Sequence, residues 1–192
     1  MKRHYYIIII LLTAISCNNR PNTTIAGYKP MVSDSLICAT LNYFVNDTSL
    51  SEFKKCNRFA AKDGRKVLYS EDSIAITRLD SIFTKEDLDF IFRQNLNSNN
   101  FKQGQYLKGK DLISGDTLLK LYHLEFWDEF NKRYGKGGFC SISLPIFSKN
   151  KDIVIIKYSS SRGRLNASGG TFIYKKAGGI WVKLYCLDYW IS

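Results

Sequence analysis

The sequence predicts an α+β domain in which N-terminal helices pack on a C-terminal four-stranded antiparallel meander. Three observations predict it. Apolar residues recur at helical spacing through the first two thirds of the chain, the period changes to two after Phe139, and glycine-rich punctuation separates the late apolar runs. The chain has 192 residues, 45% hydrophobic, 14% aromatic and 23% charged, which excludes intrinsic disorder, a collagen-like repeat and a multi-span membrane protein.

Ser33-Asp34-Ser35 can cap a first helix whose apolar face is Leu36, Ile37, Leu41, Phe44 and Val45. Residues 50–62 are ambiguous between a short helix and an irregular segment. Residues 67–69 and 74–79 read as extended, with a turn at 70–73. Thr84-Lys85-Glu86-Asp87 is a helix start: a capping threonine is followed by acids where the macrodipole favours negative charge. Asn97 to Gln105 reads as loop. Asp116-Thr117 opens a third helix, with Leu119, Tyr122, Phe126 and Phe130 on one stripe, that runs to Tyr134-Gly135. In the late segment, Cys140, Ile142, Leu144 and Ile146 share a strand face, and Pro145 makes that strand an edge or bulges it. Residues 153–156 form a continuous apolar run suited to a central strand, and Phe172 and Tyr174 share a face. Ile180, Val182, Leu184 and Cys186 stand opposite Trp181, Tyr185 and Tyr189. A long loop is expected at 159–170. Helices then cover one face of the sheet.

The N-terminus has a different composition. Lys2, Arg3 and His4 precede twelve residues, Tyr5 to Ser16, of which only Thr13 and Ser16 are polar. A bilayer-spanning helix needs about 20 apolar residues, so the run has the length of a signal-peptide core instead. It ends in Ala14-Ile15-Ser16-Cys17, which resembles the lipobox of bacterial lipoproteins; the resemblance implies cleavage before Cys17 and acylation of its thiol. Residues 1–16 are then a signal peptide, 17–32 a polar, proline-punctuated tether, and 33–192 one domain. Loss of Lys2 and Arg3 takes the formal charge from +11 to +9. Asn18 and the absence of acids before Asp34 favour the periplasmic face of an outer membrane.

Chemistry-bearing residues are few. His123 is the single histidine beyond the signal, and Glu125, Asp128 and Glu129 near it read as a solvated helix face. No HExxH or CxxC motif occurs, so neither metal nor cofactor is expected. Cys38, Cys56, Cys140 and Cys186 are candidate disulfide participants, with all three pairings open. From Pro145 onward eight Lys/Arg face Asp152 and Asp188. This basic excess suits an anionic envelope polymer or an acidic envelope protein, with Arg162 and Arg164 as candidate contacts. The export signal argues against nucleic acid. Four Asp-Ser/Thr-aliphatic triplets, starting at Asp34, Asp72, Asp80 and Asp116, read as caps or turns or as short O-glycosylation signals.

Phe126-Trp127-Asp128-Glu129-Phe130, Tyr134-Gly135, Ser143-Leu144-Pro145-Ile146-Phe147-Ser148, Gly169-Gly170, Trp181 and Trp190-Ile191-Ser192 together form a pattern over about the last 70 residues. It resembles small uncharacterised lipoproteins of Bacteroidota-type envelopes. That resemblance brings no activity; in it Ser143, Pro145 and the glycines read as backbone geometry and the tryptophans as core. The expectation is therefore a lipid-anchored envelope protein with a non-catalytic binding or structural domain. The alternatives are an envelope hydrolase or transferase using Asp128 or Glu129, and an immunity lipoprotein.

Overall fold

The computed structural model describes residues 31–46, 56–61, 67–97, 104, 106–107, 109–121 and 125–192. The expected signal, Cys17, nearly all of the tether and His123 lie outside the described residues. The elements in order are α1 (Asp34–Asn46), β1 (Arg58–Ala61), α2 (Ser70–Thr77), α3 (Lys85–Asn97), β2 (Asp111–Ser114), α4 (Gly115–Leu121), α5 (Phe126–Tyr134), β3 (Phe139–Ile142), β4 (Ile146–Phe147), β5 (Ile153–Ser161), β6 (Ala167–Ala177) and β7 (Ile180–Ile191).

The fold is α+β, but the sheet is larger than a meander. Seven strands run in the order β2-β1-β3-β5-β6-β7, with β4 pairing β5 beside β3. The expected antiparallel ladder is present as β3-β5-β6-β7, and β5 is internal to it. Two short strands extend it: β1 lies parallel to both β2 and β3. Each has four residues, too few to show a period.

Helices cover both faces rather than one. Phe44 of α1 packs on Tyr174 and Trp181, with ring centroids 4.7 and 6.2 Å away. Ile173 next to Tyr174 points the other way, into a core with Ile155, Ile146, Ile76 of α2, Phe83 and Ile91 of α3. Adjacent residues on a buried strand face opposite layers, so β5 and β6 need apolar cover on both sides; their burial is nearly continuous over 153–156 and 169–174.

Local chemistry sets the helix starts. Ser33 accepts the Leu36 N–H at Oγ and the Leu36 and Ile37 N–H groups at its carbonyl, opening α1. At α3 the expected capping box forms: Thr84 Oγ1 accepts the Asp87 N–H at 3.1 Å, and Asp87 Oδ2 accepts the Thr84 N–H at 3.1 Å. Burial pushes the Asp87 carboxyl up, but the hydroxyl of Thr84 and the N–H groups of Lys149 and Thr84 outweigh it and hold it below the ordinary carboxylate value. Residues 74–79, expected as a strand after a turn, are instead mostly α2. Asp72 Oδ2 takes the Tyr69 N–H at 2.7 Å, and the buried positions Asp72 and Ile76 are four apart. The expected third helix is broken into α4 and α5.

Helix α3 also supplies side chains that act as backbone partners. Asn95 Oδ1 accepts from the N–H groups of Val67 and Leu68 at 3.0 and 2.8 Å, and its Nδ2 donates to the Leu68 carbonyl at 2.8 Å. Gln94 does the same on β4: Nε2 donates to the Phe147 carbonyl at 2.7 Å and Oε1 accepts the Phe147 N–H at 3.1 Å. Pro145 interrupts the strand between β3 and β4, as expected, but β3 is not an edge because β1 flanks it. At the break Ser143 Oγ accepts the Lys157 N–H at 2.9 Å, and Ser148 Oγ accepts the Ile153 N–H at 3.1 Å. Both serines of the Ser-x-Pro-x-Phe-Ser stretch therefore act on backbone geometry.

Replacing Asn95 by Ala leaves two N–H groups and a carbonyl unmatched in a buried site, with an expected cost of about 3 kcal/mol. Equilibrium urea denaturation checks this, and a loss below about 1 kcal/mol would contradict the bonding described.

Candidate binding surface

Of the four candidate cysteines, Cys56 and Cys140 form a disulfide, with Cα atoms 6.0 Å apart and 84 residues between them in sequence. Cys38 is buried in α1 and Cys186 is exposed on β7, both as thiols. The bonded pair straddles the junction of β1 and β3, where Phe59↔Cys140 is the one register pair between those strands. Arg58 reinforces this junction. Its Nε donates to Asp111 at 2.8 Å, its Nη2 donates to the Tyr134 carbonyl at the end of α5 at 2.6 Å, and its guanidinium lies over the Phe130 and Tyr134 rings. No local sequence signal marked Arg58, because its partners lie 53 and 76 residues away.

The late basic residues do not form one patch. Arg162 and Arg164 are exposed in the β5–β6 turn, which spans 162–166 because the expected long loop is mostly strand. Leu165 between them and Asn166 is 87% exposed. Lys175 and Lys176 lie at the far end of β6, joined to the β4–β5 turn through the Lys176 N–H on the Asp152 carbonyl. An eleven-residue strand separates the two ends by about 35 Å. Lys149 in the β4–β5 turn pairs with Glu86, which holds its ammonium above the usual lysine value. Lys157 is drawn inward: it pairs with the buried Asp72 at 2.6 Å and lies 5.0 Å from the Tyr69 ring centre, tying α2 to β5.

The acids considered for catalysis are not brought together. Asp128 and Glu129 are consecutive in the first turn of α5, and successive helical residues do not face each other. The aromatic residues around them pack inward: Trp127 stacks on Phe139 at 6.1 Å, and Phe130 is fully buried against it at 5.3 Å. Among the described residues no group of three or more His, Cys, Asp or Glu could hold a metal ion. The Ser73 and Thr117 hydroxyls of two Asp-Ser/Thr triplets are engaged at helix starts, with Tyr69 O and Ser114 Oγ.

The largest apolar exposure is on β7. Ile180, Val182, Leu184, Tyr185, Tyr189, Trp190 and Ile191 are all more than two fifths exposed, and β7 is the last strand of the sheet. Its simple alternation fails because two register shifts insert Leu184 and Leu187 opposite β6. Cys186 thereby joins the face of Trp181 and Tyr185 moves to the face of Ile180 and Val182, while Tyr189 stays on the Trp181 face as expected. Of the two tryptophans on this strand, Trp181 is core but Trp190 is 44% exposed, lying over Gly169. A Cβ at Gly169 would meet the Trp190 ring and the Tyr158 carbonyl at 2.7 Å, which explains a glycine there.

These features define an α+β domain with a mixed sheet, a disulfide at its parallel junction and one long aromatic edge strand. Compared with protein-family models, curated proteins and solved structures, the chain matches none.

Reduction of the Cys56–Cys140 bond releases an 84-residue separation, and the expected loss is about 4 kcal/mol. Cys56→Ser, Cys140→Ser and the double variant should lose the same amount by urea denaturation. A wild-type midpoint that reductant does not move would contradict the bond's role.

Proposed function

We propose that the chain is an exported, lipid-anchored protein of a bacterial cell envelope whose folded domain works by binding rather than by catalysis. The observation that carries this reading is the Cys56–Cys140 disulfide. Such bonds persist in oxidising compartments and are rare in the cytosol. It agrees with the basic start, short apolar core and Ser16-Cys17 boundary of residues 1–17. Cys17 carries the lipid, 17–32 is the tether, and the domain stands on the periplasmic face of the outer membrane. Two or more acyl chains on one residue hold a protein at a bilayer, whereas one is a marginal anchor. Among the described residues no helix is long and apolar enough to cross a membrane.

Two surfaces support binding as the domain's task. One is the exposed aromatic and aliphatic strand β7. The other is the β5–β6 turn, where Arg162, Arg164 and Leu165 are exposed and suited to an anionic envelope polymer or an acidic envelope protein.

Metabolic labelling with a palmitate analogue tests the anchor. Wild-type chain should be labelled and sediment with membranes; Cys17→Ser should lose both properties while retaining residues 1–16 or releasing them without acylation. Label on Cys17→Ser, or an unlabelled wild-type chain in the cytosol, would contradict the reading.

A further inference from the structure

The sheet face that carries Ile155 and Ile173 under α2 and α3 changes character two residues further along. On β5 it continues as Lys157, Ser159 and Ser161, paired on β6 with Thr171, Gly169 and Ala167. The result is a polar strip about 13 Å long that leads to the β5–β6 turn at Arg162. Two exposed rings stand along it. Tyr69, 56% exposed just before α2, has the Lys157 ammonium 5.0 Å from its ring centre. Trp190 of β7 is paired with Gly169, where a Cβ would meet the Trp190 ring at 2.7 Å and Ser159 Cβ at 2.8 Å. The bare backbone of that glycine lets the ring lie beside the serine.

Between the rings are hydrogen-bonding groups with capacity to spare. Asp72 takes both the Lys157 ammonium and the Tyr69 N–H on one oxygen, Oδ2. Ser141 and Ser159 share one hydrogen bond at 2.7 Å that either can donate, so both hydroxyls keep a further bonding position. Thr171 lies between Lys157 and Asp188 across the strands, and its hydroxyl oxygen is buried with no hydrogen-bond partner among the described residues. Buried hydroxyls are normally paired, so this one points to a partner from outside the chain.

We propose that the strip binds an acidic polysaccharide, with its sugar rings along Tyr69 and Trp190 and its acid groups toward Arg162. A sugar ring has an apolar C–H face and a rim of hydroxyls. The strip complements both: aromatic faces take the first, and hydroxyls that donate and accept take the second. The Lys157–Asp72 pair sets a donor beside an acceptor, as neighbouring sugar hydroxyls require. An acidic peptide or a lipid headgroup would need cations along the strip, whereas its one lysine is already matched by Asp72. The acid is selected at the end of the strip, where the exposed Arg162 follows Ser161, and by a chain of formal charge +11. This rests on the reading that the domain works by binding and names the class of its partner; acylation of Cys17 is not needed for it.

The test applies the full chain, purified in mild detergent, to an array of printed bacterial polysaccharides, neutral and uronic-acid-containing, with polyglutamate spotted as a charge control. Retention on uronic-acid polysaccharides above that on the neutral ones and on polyglutamate is expected. Trp190→Ala should lower it at least about tenfold. Tyr189→Ala removes an exposed ring of the same strand on the opposite face and should leave it unchanged. Thr171→Val removes an oxygen that bonds nothing in the fold, so its urea midpoint should not fall while retention drops about tenfold. Wild-type retention by both Trp190→Ala and Thr171→Val would overturn the proposal, as would a loss in Tyr189→Ala equal to that in Trp190→Ala. No polysaccharide retained, or neutral chains held as firmly as acidic ones, would also overturn it. Retention on polyglutamate alone would overturn the sugar site yet keep the Arg162 turn as a contact for an acidic protein, and none of these results touches the palmitate label on Cys17.

Discussion

One covalent bond holds together two pieces of sheet that have little else in common. Strands β1 and β2 form a short parallel unit, and β3 to β7 form an antiparallel one; they share a single register pair, Phe59↔Cys140. The Cys56–Cys140 bond sits on that pair, and Arg58 clamps the same place through Asp111 and the end of α5. A four-residue strand gains little from its own ladder, so its position depends on bonds from its side chains. Without the disulfide, β1 would be held by the buried Phe59 and Ala60, the arginine clamp, its pairing with β2 and the single register pair with β3.

A second principle recurs at the other side of the molecule. Helix α3 uses Asp87, Gln94 and Asn95 to complete backbone hydrogen bonding that strands would otherwise supply: at Lys149, at Phe147 and at Val67 and Leu68. These side chains seal the edge of β4 and fix an extended segment that never joins the sheet. Both edges near α3 are thus closed, while β7, held at Trp181 by Tyr43, keeps most of its edge open.

Much of this was legible in the sequence, and the limits have physical causes. The caps at Ser33 and Thr84 could be read because their partners lie within four residues. The antiparallel ladder could be read because β6 and β7 are long, 153–156 is a continuous apolar run, and β3 and β4 together show one alternation from Cys140 to Ile146. The strand expected at 74–79 failed because Ile74 and Ile76 alternate as in a strand, whereas Asp72 starts a helix by taking the Tyr69 N–H and also pairs with Lys157 from 85 residues away. Strands β1 and β2 failed because four residues carry no period. The faces of Tyr185 and Cys186 were misassigned since a bulge leaves no local trace in an apolar run, whereas the second bulge returns Tyr189 to the face expected for it. Of the candidate site residues, Arg162 and Arg164 are exposed at a turn as the reading required, and the cysteine pairing needed the fold before it could be chosen.

The proposed function sets a lipid anchor near the start of the chain and a binding surface on the folded domain, and the disulfide between Cys56 and Cys140 supports it. Its central claim is that the Cys56–Cys140 bond exists in the native chain, which both the fold and the envelope reading require. The direct measurement is to lyse the producing cells in an alkylating reagent without reductant and map modified cysteines by mass spectrometry. The account predicts Cys186 alkylated, and Cys56 and Cys140 modified only after reduction. Full alkylation of Cys56 and Cys140 in the unreduced sample would contradict it.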